Sequence, residues 1–358
     1  MDTALLPVGR ATAPWLRDRR WDLTWLVGSA VIVPLVMVFV WAGVSNALLN
    51  LTVTTIVGGP HLFATYTATY LDPRFRRSHG GSLALITILI PAAVVWMTLA
   101  DFQILMSLFI FAASIHVLQQ NAFIADAYRR RGAKPERPGA RWIDYGFIGL
   151  SFYPIASSKL VEGTFLLGDT EILIPAFFKT GATVWLVSGA FAVFAGAWIA
   201  KTADEARRGV LNGPKTLLIG VTATVAFFVP LAASGARLEL AFQAINAWHS
   251  FQYLGLVWFV HTVRQERGLT ASPFVARLSG TGRAAVWYYG FCFLASATLL
   301  LGMLALSKAD PFRLPFERYY YMGVLSCLLI HYALDGWLFT VSGFRSARAE
   351  RVPYAALA

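Results

Sequence analysis

Residues 83–100 read L-A-L-I-T-I-L-I-P-A-A-V-V-W-M-T-L-A, eighteen positions without a charged side chain. Wound as an α-helix, the stretch approaches the roughly 20 residues needed to cross the hydrocarbon core of a bilayer. Nine further stretches meet the same test of length and apolarity. The sequence therefore predicts an all-α, polytopic integral membrane bundle with ten transmembrane helices, at 24–49, 51–71, 83–100, 103–128, 143–157, 182–200, 216–233, 238–263, 284–306 and 319–341. Composition agrees: of 358 residues, 57% are hydrophobic and 14% charged, with a mean hydropathy of +0.59. Such a balance excludes an ordinary soluble enzyme. The plentiful aromatics, and the lack of any three-residue period in 29 glycines, exclude a disordered or collagen-like chain. Cys292 and Cys327 both fall inside apolar spans without CxxC spacing, so neither a disulfide framework nor a thiolate zinc site can be built from them.

The net charge of +11 invites a nucleic-acid reading until the charges are located. Ten spans put both termini on one side, and 24 of the 30 Lys and Arg then fall in the segments on that side. Basic residues mark loops retained in the cytoplasm, so the expectation is two cytoplasmic termini and no nucleic-acid partner. Arg129-Arg130-Arg131 reads as part of a solvated cytoplasmic loop. Asp2, Arg10, Asp18 and Asp22 precede the first span with no clear cleavage site, so that span is expected to be retained. No repeat or linker divides the chain. The domain reading is a cytoplasmic segment at 1–23, one transmembrane domain at 24–341 and a cytoplasmic tail at 342–358. The longest outer connection contains Ile172-Leu173-Ile174-Pro175-Ala176-Phe177-Phe178, too short to span. It is expected to lie in the interface or re-enter, forming the mouth of a lipid-accessible pocket.

Of six histidines, His79 falls in a basic loop and His261 at a cytoplasmic helix end, where solvation accounts for both. The other four occupy the middle of spans 2, 4, 8 and 10, all of which run from outside to inside. His61 lies 10 residues from the start of its span, His116 13, His249 11 and His331 12. At about 1.5 Å per residue, that spread is only ~4–5 Å of depth. Intramembrane ionisable residues are costly and mostly functional, so the four imidazoles are candidate ligands of one metal ion. Polar neighbours at helical spacing could orient them by hydrogen bonding to the rings: Thr65 near His61, Gln119 and Gln120 near His116, Asn246 and Gln252 near His249, and Asp335 one turn after His331. Trp248, Tyr253, Tyr332 and Trp337 flank the histidines as candidate pocket-lining residues. Gly58-Gly59-Pro60 is expected to kink its helix just before His61.

Imidazole suits iron, copper and zinc, whereas magnesium and calcium prefer oxygen. Four neutral ligands would leave Fe(II) with open positions for dioxygen or substrate. The absence of HExxH disfavours an intramembrane zinc protease. Two alternatives stay open: an electron carrier in which the histidines ligate haem b in pairs, and a transporter of metal or small molecules.

Gly59-Pro60-His61, Ile115-His116, His249 and Ile330-His331-Tyr332-Ala333-Leu334-Asp335 together resemble, in order and depth, the four histidine motifs of the bacterial membrane β-carotene dioxygenase family of Brp/Blh type. The resemblance implies a helical fold in the bacterial cytoplasmic membrane, Fe(II) at His61, His116, His249 and His331, and cleavage of a lipophilic substrate by dioxygen. The first histidine is followed here by Leu62-Phe63-Ala64-Thr65, where the family carries Gly and an acidic residue. The substrate implied is accordingly a carotenoid-like molecule or another lipid.

Overall fold

The structure, a computed structural model, describes residues 14–132, 135–161, 163–234, 237–266, 268, 270, 272–280 and 282–339. Most of the expected N-terminal segment, and the tail at 342–358, lie outside the described residues. Among those described, the fold is helical throughout except for one two-residue hairpin. In chain order the helices are α1 (Arg19–Trp41), α2 (Asn46–Ala68), α3 (Pro73–Ala100), α4 (Phe102–Arg131), α5 (Ala140–Leu150), α6 (Tyr153–Val161), α7 (Gly181–Arg207), α8 (Gly213–Ala232), α9 (Leu238–Glu266), α10 (Pro273–Leu278), α11 (Arg283–Ala309) and α12 (Phe316–Phe339). Side-chain caps set the starts. Asp101 accepts from the Ile104 amide and lets α4 begin two residues after α3 ends, while Thr180 and Asn212 cap α7 and α8 in the same way.

Seven of these helices, α1, α2, α3, α4, α7, α8 and α11, are long and apolar enough to cross a membrane. Their outward faces are correspondingly oily. On α7, Trp185, Leu186 and Val193 stand exposed, and the one side chain that helix buries fully is Glu205, near its end. A water-soluble fold would not leave such a surface uncovered, and the chain is an integral membrane protein. Two more helices have spanning length, α9 with 29 residues and α12 with 24, and are not among the seven. They are the helices that carry His249 and His331.

The expected span at 143–157 is not one helix. It resolves into α5 and α6, broken at Ser151 and Phe152. Pro154 has no amide proton to continue the α5 ladder, but at the start of α6 none is needed. Beyond α6, a hairpin pairs β1 (Leu166–Leu167) with β2 (Thr170–Glu171). The apolar run that follows buries Ile172, then makes a 3₁₀ turn at Ala176–Phe178 whose two Phe rings are exposed.

The described residues form two compact units, one of residues 14–61 and 94–256, the other of 62–93 and 257–339. In the first, α4 packs with Met106, Ala113, Val117 and Ile124 buried, and α9 buries Leu240, Ala241, Ala244 and Trp248. Gly255 lets α9 approach α1, since a Cβ there would come within 2.6 Å of the Trp25 ring, which stacks on Phe251 at 4.6 Å. The end of α4 is tied by charge. Arg129 pairs with Asp126, with Glu136 at 2.8 Å and with Asp144 at 2.6 Å, and Lys215 pairs with Glu136 and lies 3.5 Å from Asp144. Lys201 closes the cluster, 2.7 Å from Asp144 and 3.3 Å from Glu205. Arg129 is thus no solvated loop residue: α4 runs through it, and it is clamped between three carboxylates.

In the second unit, Leu83 packs with Ile330 and Leu334 of α12, and the Tyr66 hydroxyl donates to the Cys327 carbonyl at 2.8 Å. His261 departs from its expected solvation. Only 2% of it is exposed, with Nε2 2.7 Å from the Thr67 hydroxyl and its ring edge-on to Tyr288. The last turns of α9 are covered by protein at that point, not by water.

Candidate metal centre

Three of the four mid-span histidines belong to the first unit and meet there. The ring centroids of His61 and His249 are 5.3 Å apart, those of His116 and His249 5.0 Å, and both pairs are edge-on. All three are buried: exposure is 2%, 5% and 1% for His61, His116 and His249.

Each ring is placed by its own helix. On α2, Pro60 supplies no amide proton, and the backbone widens into a π turn at Thr54–Gly58 just ahead of it. That turn presents the Gly58 carbonyl to His61 Nδ1. A carbonyl can only accept, so Nδ1 carries the proton and Nε2 the lone pair, the form that binds metals. Ser250 Oγ, on the helix turn beside His249, lies 3.1 Å from the same Nδ1. Ser250 was not singled out by the sequence, where it is one serine among many in apolar spans.

His249 is held through its backbone. Gln120 donates to the His249 carbonyl and to Gln252 Oε1, both at 3.1 Å, and Gln252 donates to the Leu26 carbonyl at 2.5 Å and to Asn121 at 3.4 Å. These amides fix where α9 sits against α4 and α1. Neither glutamine bonds an imidazole, which corrects the expectation that they orient the rings. Gln119 lies on the exposed face of α4 and is no partner of His116, and Asn246 bonds Gln243 on its own helix at 3.3 Å. Among the described residues, neither ring nitrogen of His249 has a hydrogen-bond partner. A neutral imidazole brings one donor and one acceptor, and leaving both unmet in an apolar interior is costly.

The aromatic neighbours divide. Tyr253 is fully buried against the histidines, 5.8 Å from the His61 ring and 6.3 Å from that of His249. Trp248 turns away and donates to the Ser29 hydroxyl at 2.9 Å, a packing role. In the second unit, His331 is buried with Nδ1 2.6 Å from the Thr65 hydroxyl and Nε2 3.6 Å from Asp335, so the acidic residue one turn on does face its ring. Thr65 also reaches Asp335, at 3.5 Å. Tyr332 lies beside His331 with ring centroids 5.7 Å apart, and the side chain of Trp337 lies outside the described residues.

His249 thus meets two other buried imidazoles edge-on, and imidazole nitrogen is a donor that suits a transition metal. Comparison with known protein families, curated proteins and solved structures finds no match to this chain.

Proposed function

We propose that the chain is a membrane-embedded metalloenzyme, a non-haem iron oxygenase acting on a lipophilic substrate, with its metal held by His61, His116 and His249. The observation that carries the reading is the His249 ring, buried at the meeting point of two other imidazoles with no hydrogen-bond partner for either nitrogen among the described residues. A metal ion would take up the lone pair of such a ring. Bound Fe(II) would supply dioxygen activation, and all-nitrogen neutral donors leave it coordination positions to spare. The protein's part is to fix the His61 tautomer through Gly58, to hold α9 in register through Gln120 and Gln252, and to exclude water.

His331 enters as a fourth ligand through its depth in the sequence, with Asp335 as the group that would orient it. A pair of haems is a poorer fit, because edge contact between the rings leaves no slot for a porphyrin plane. In the membrane, the seven apolar helices together with α9, α12 and the broken α5–α6 pair make ten crossings. Both termini would be cytoplasmic, in a bacterial inner membrane. Elemental analysis of the purified protein with an absorption spectrum tests the centre. About one iron per chain, lost in His249→Ala, is expected; a metal-free wild type, or a Soret band, refutes it. Metal that exchanges freely on dialysis would select transport instead.

A further inference from the structure

The first unit also encloses a cavity of about 350 Å³ that the metal centre does not use. Its walls come from α4, α5, α6, the start of α7 and the start of α9, and the hairpin segment covers it with Phe165 and Ile172. The cover is pinned at two points. The Gly168 amide donates to Glu239 at 2.9 Å, and the Leu173 amide donates to the Ser107 hydroxyl at 2.8 Å. Phe111 and Phe178, 41% and 42% exposed, stand among the lining residues and mark an apolar mouth.

Among the described residues, no charged side chain lines this space. Three of its four polar groups already donate to backbone: Ser114 to Phe111 at 2.9 Å, Ser157 to Pro154 at 3.0 Å and Thr183 to Phe177 at 2.7 Å. The fourth, the Tyr153 hydroxyl, is 3.1 Å from Ser114 Oγ. With the Ser114 proton on its carbonyl, Tyr153 donates to Ser114 and its oxygen keeps capacity to accept. The volume falls in the range of small-molecule sites. A carboxylate or phosphate would find no counter-charge here, and a water cluster too few partners.

We infer that this cavity binds an uncharged, single-chain lipophile whose one hydroxyl group meets Tyr153. Phe242, in its wall, stands two turns before His249 on the same face of α9, about 10 Å along the axis. The bound chain therefore lies on the outer side of the histidines, within reach of a centre built there. Its role as substrate rests on the metal-centre reading; its occupancy does not.

Binding of cis-parinaryl alcohol, followed by its fluorescence rise in nanodisc-held protein, tests the site. Hexadecanol should displace the probe, and palmitate should do so at least ~10-fold less well. Ala156→Trp, which fills the cavity, should abolish the rise, and Ile174→Trp on the covering loop does the same job where the first variant fails to fold. Tyr153→Phe should weaken binding about 2–10-fold, the loss of one hydrogen bond. Metal-stripped wild type and His249→Leu should bind as untreated protein does. Unchanged binding in both tryptophan variants, or equal competition by palmitate, overturns the inference. A protein that never retains metal but binds the probe in this pattern sinks the metal reading and leaves the cavity standing.

Discussion

Replacing His249 by leucine should leave the metal-free protein at least as stable as wild type and abolish its stabilisation by metal. In the metal-free state the wild type keeps two buried ring nitrogens without hydrogen-bond partners among the described residues, and each such group costs about 1–3 kcal/mol. Leucine removes that cost, and its different shape gives back less than about 1.5 kcal/mol in a core that repacks. The variant should therefore unfold at or above the wild-type temperature in chelator. Adding metal at a hundredfold its dissociation constant stabilises the wild type by about 2.7 kcal/mol and gives the variant little. Thermal midpoints read at one scan rate, in the same detergent, with chelator and then with Fe(II) or Zn(II), make the comparison. The wild type should rise by several degrees while the variant stays where it was, narrowing or closing the gap between them. If the variant is the less stable of the two in chelator and neither responds to metal, His249 is a packing residue and the centre does not exist.

His331→Ala separates a three-ligand from a four-ligand centre: as a fourth ligand its loss should lower metal content per chain in elemental analysis, whereas unchanged content confines His331 to its contacts with Thr65 and Asp335. Lys215→Met leaves Glu136 and Asp144 short of a cation whose side chain is 0% exposed, and should cost about 3–5 kcal/mol, read as a lower midpoint. Adding Glu136→Gln should recover part of that loss, and a single variant within ~0.5 kcal/mol of wild type would show the pair to be idle. Burial pushes the Glu136 carboxyl up, but hydrogen bonds from Lys215 and Arg129 more than offset it and hold the group below its ordinary value of 4.5. A carboxylate depressed in the fold stabilises above its unfolded value and loses that contribution as pH falls through the folded one. Wild type should accordingly lose midpoint more steeply below pH 4.5 than Glu136→Gln does, and parallel curves would refute it.

Long apolar stretches were legible because a bilayer span is a property of local composition. The seven helices that pass on length and apolarity each overlap an expected span, although α1 ends at Trp41 and α2 begins at Asn46, ahead of the expected boundary at 49–51. The break between α5 and α6 was legible only as Pro154, since nothing local says whether a proline kinks a helix or starts a new one. Spacing from the span starts singled out His61, His116 and His249, and the His249 ring meets the other two. Partner choice was not legible. Gln120 and Gln252 sit at the spacing of ring partners, yet they bond a carbonyl and each other, because the direction an amide points depends on the neighbouring helix. Ser250 beside His61, and Thr67 against His261, are long-range pairs of the same kind.

The basic residues show most clearly why counting is not placement. Arg129, Lys201 and Lys215 each contributed to the side-to-side imbalance in charge, and a topology rule has no reason to treat them differently from solvated neighbours. In the fold they meet Asp126, Glu136, Asp144 and Glu205, carboxylates from four separate stretches of chain, at the ends of the helices that hold the rest of the unit. Helix α4 links the consequences. It is capped by Asp101, anchors the cavity cover through Ser107, presents His116 and Gln120 in its middle, and is clamped at its end by Asp126 and Arg129. A helix fixed at both ends cannot slide or rotate about its axis without breaking buried ion pairs. The ring of His116 and the amide that holds His249 inherit that fixity, so the charge cluster positions both side chains without touching them.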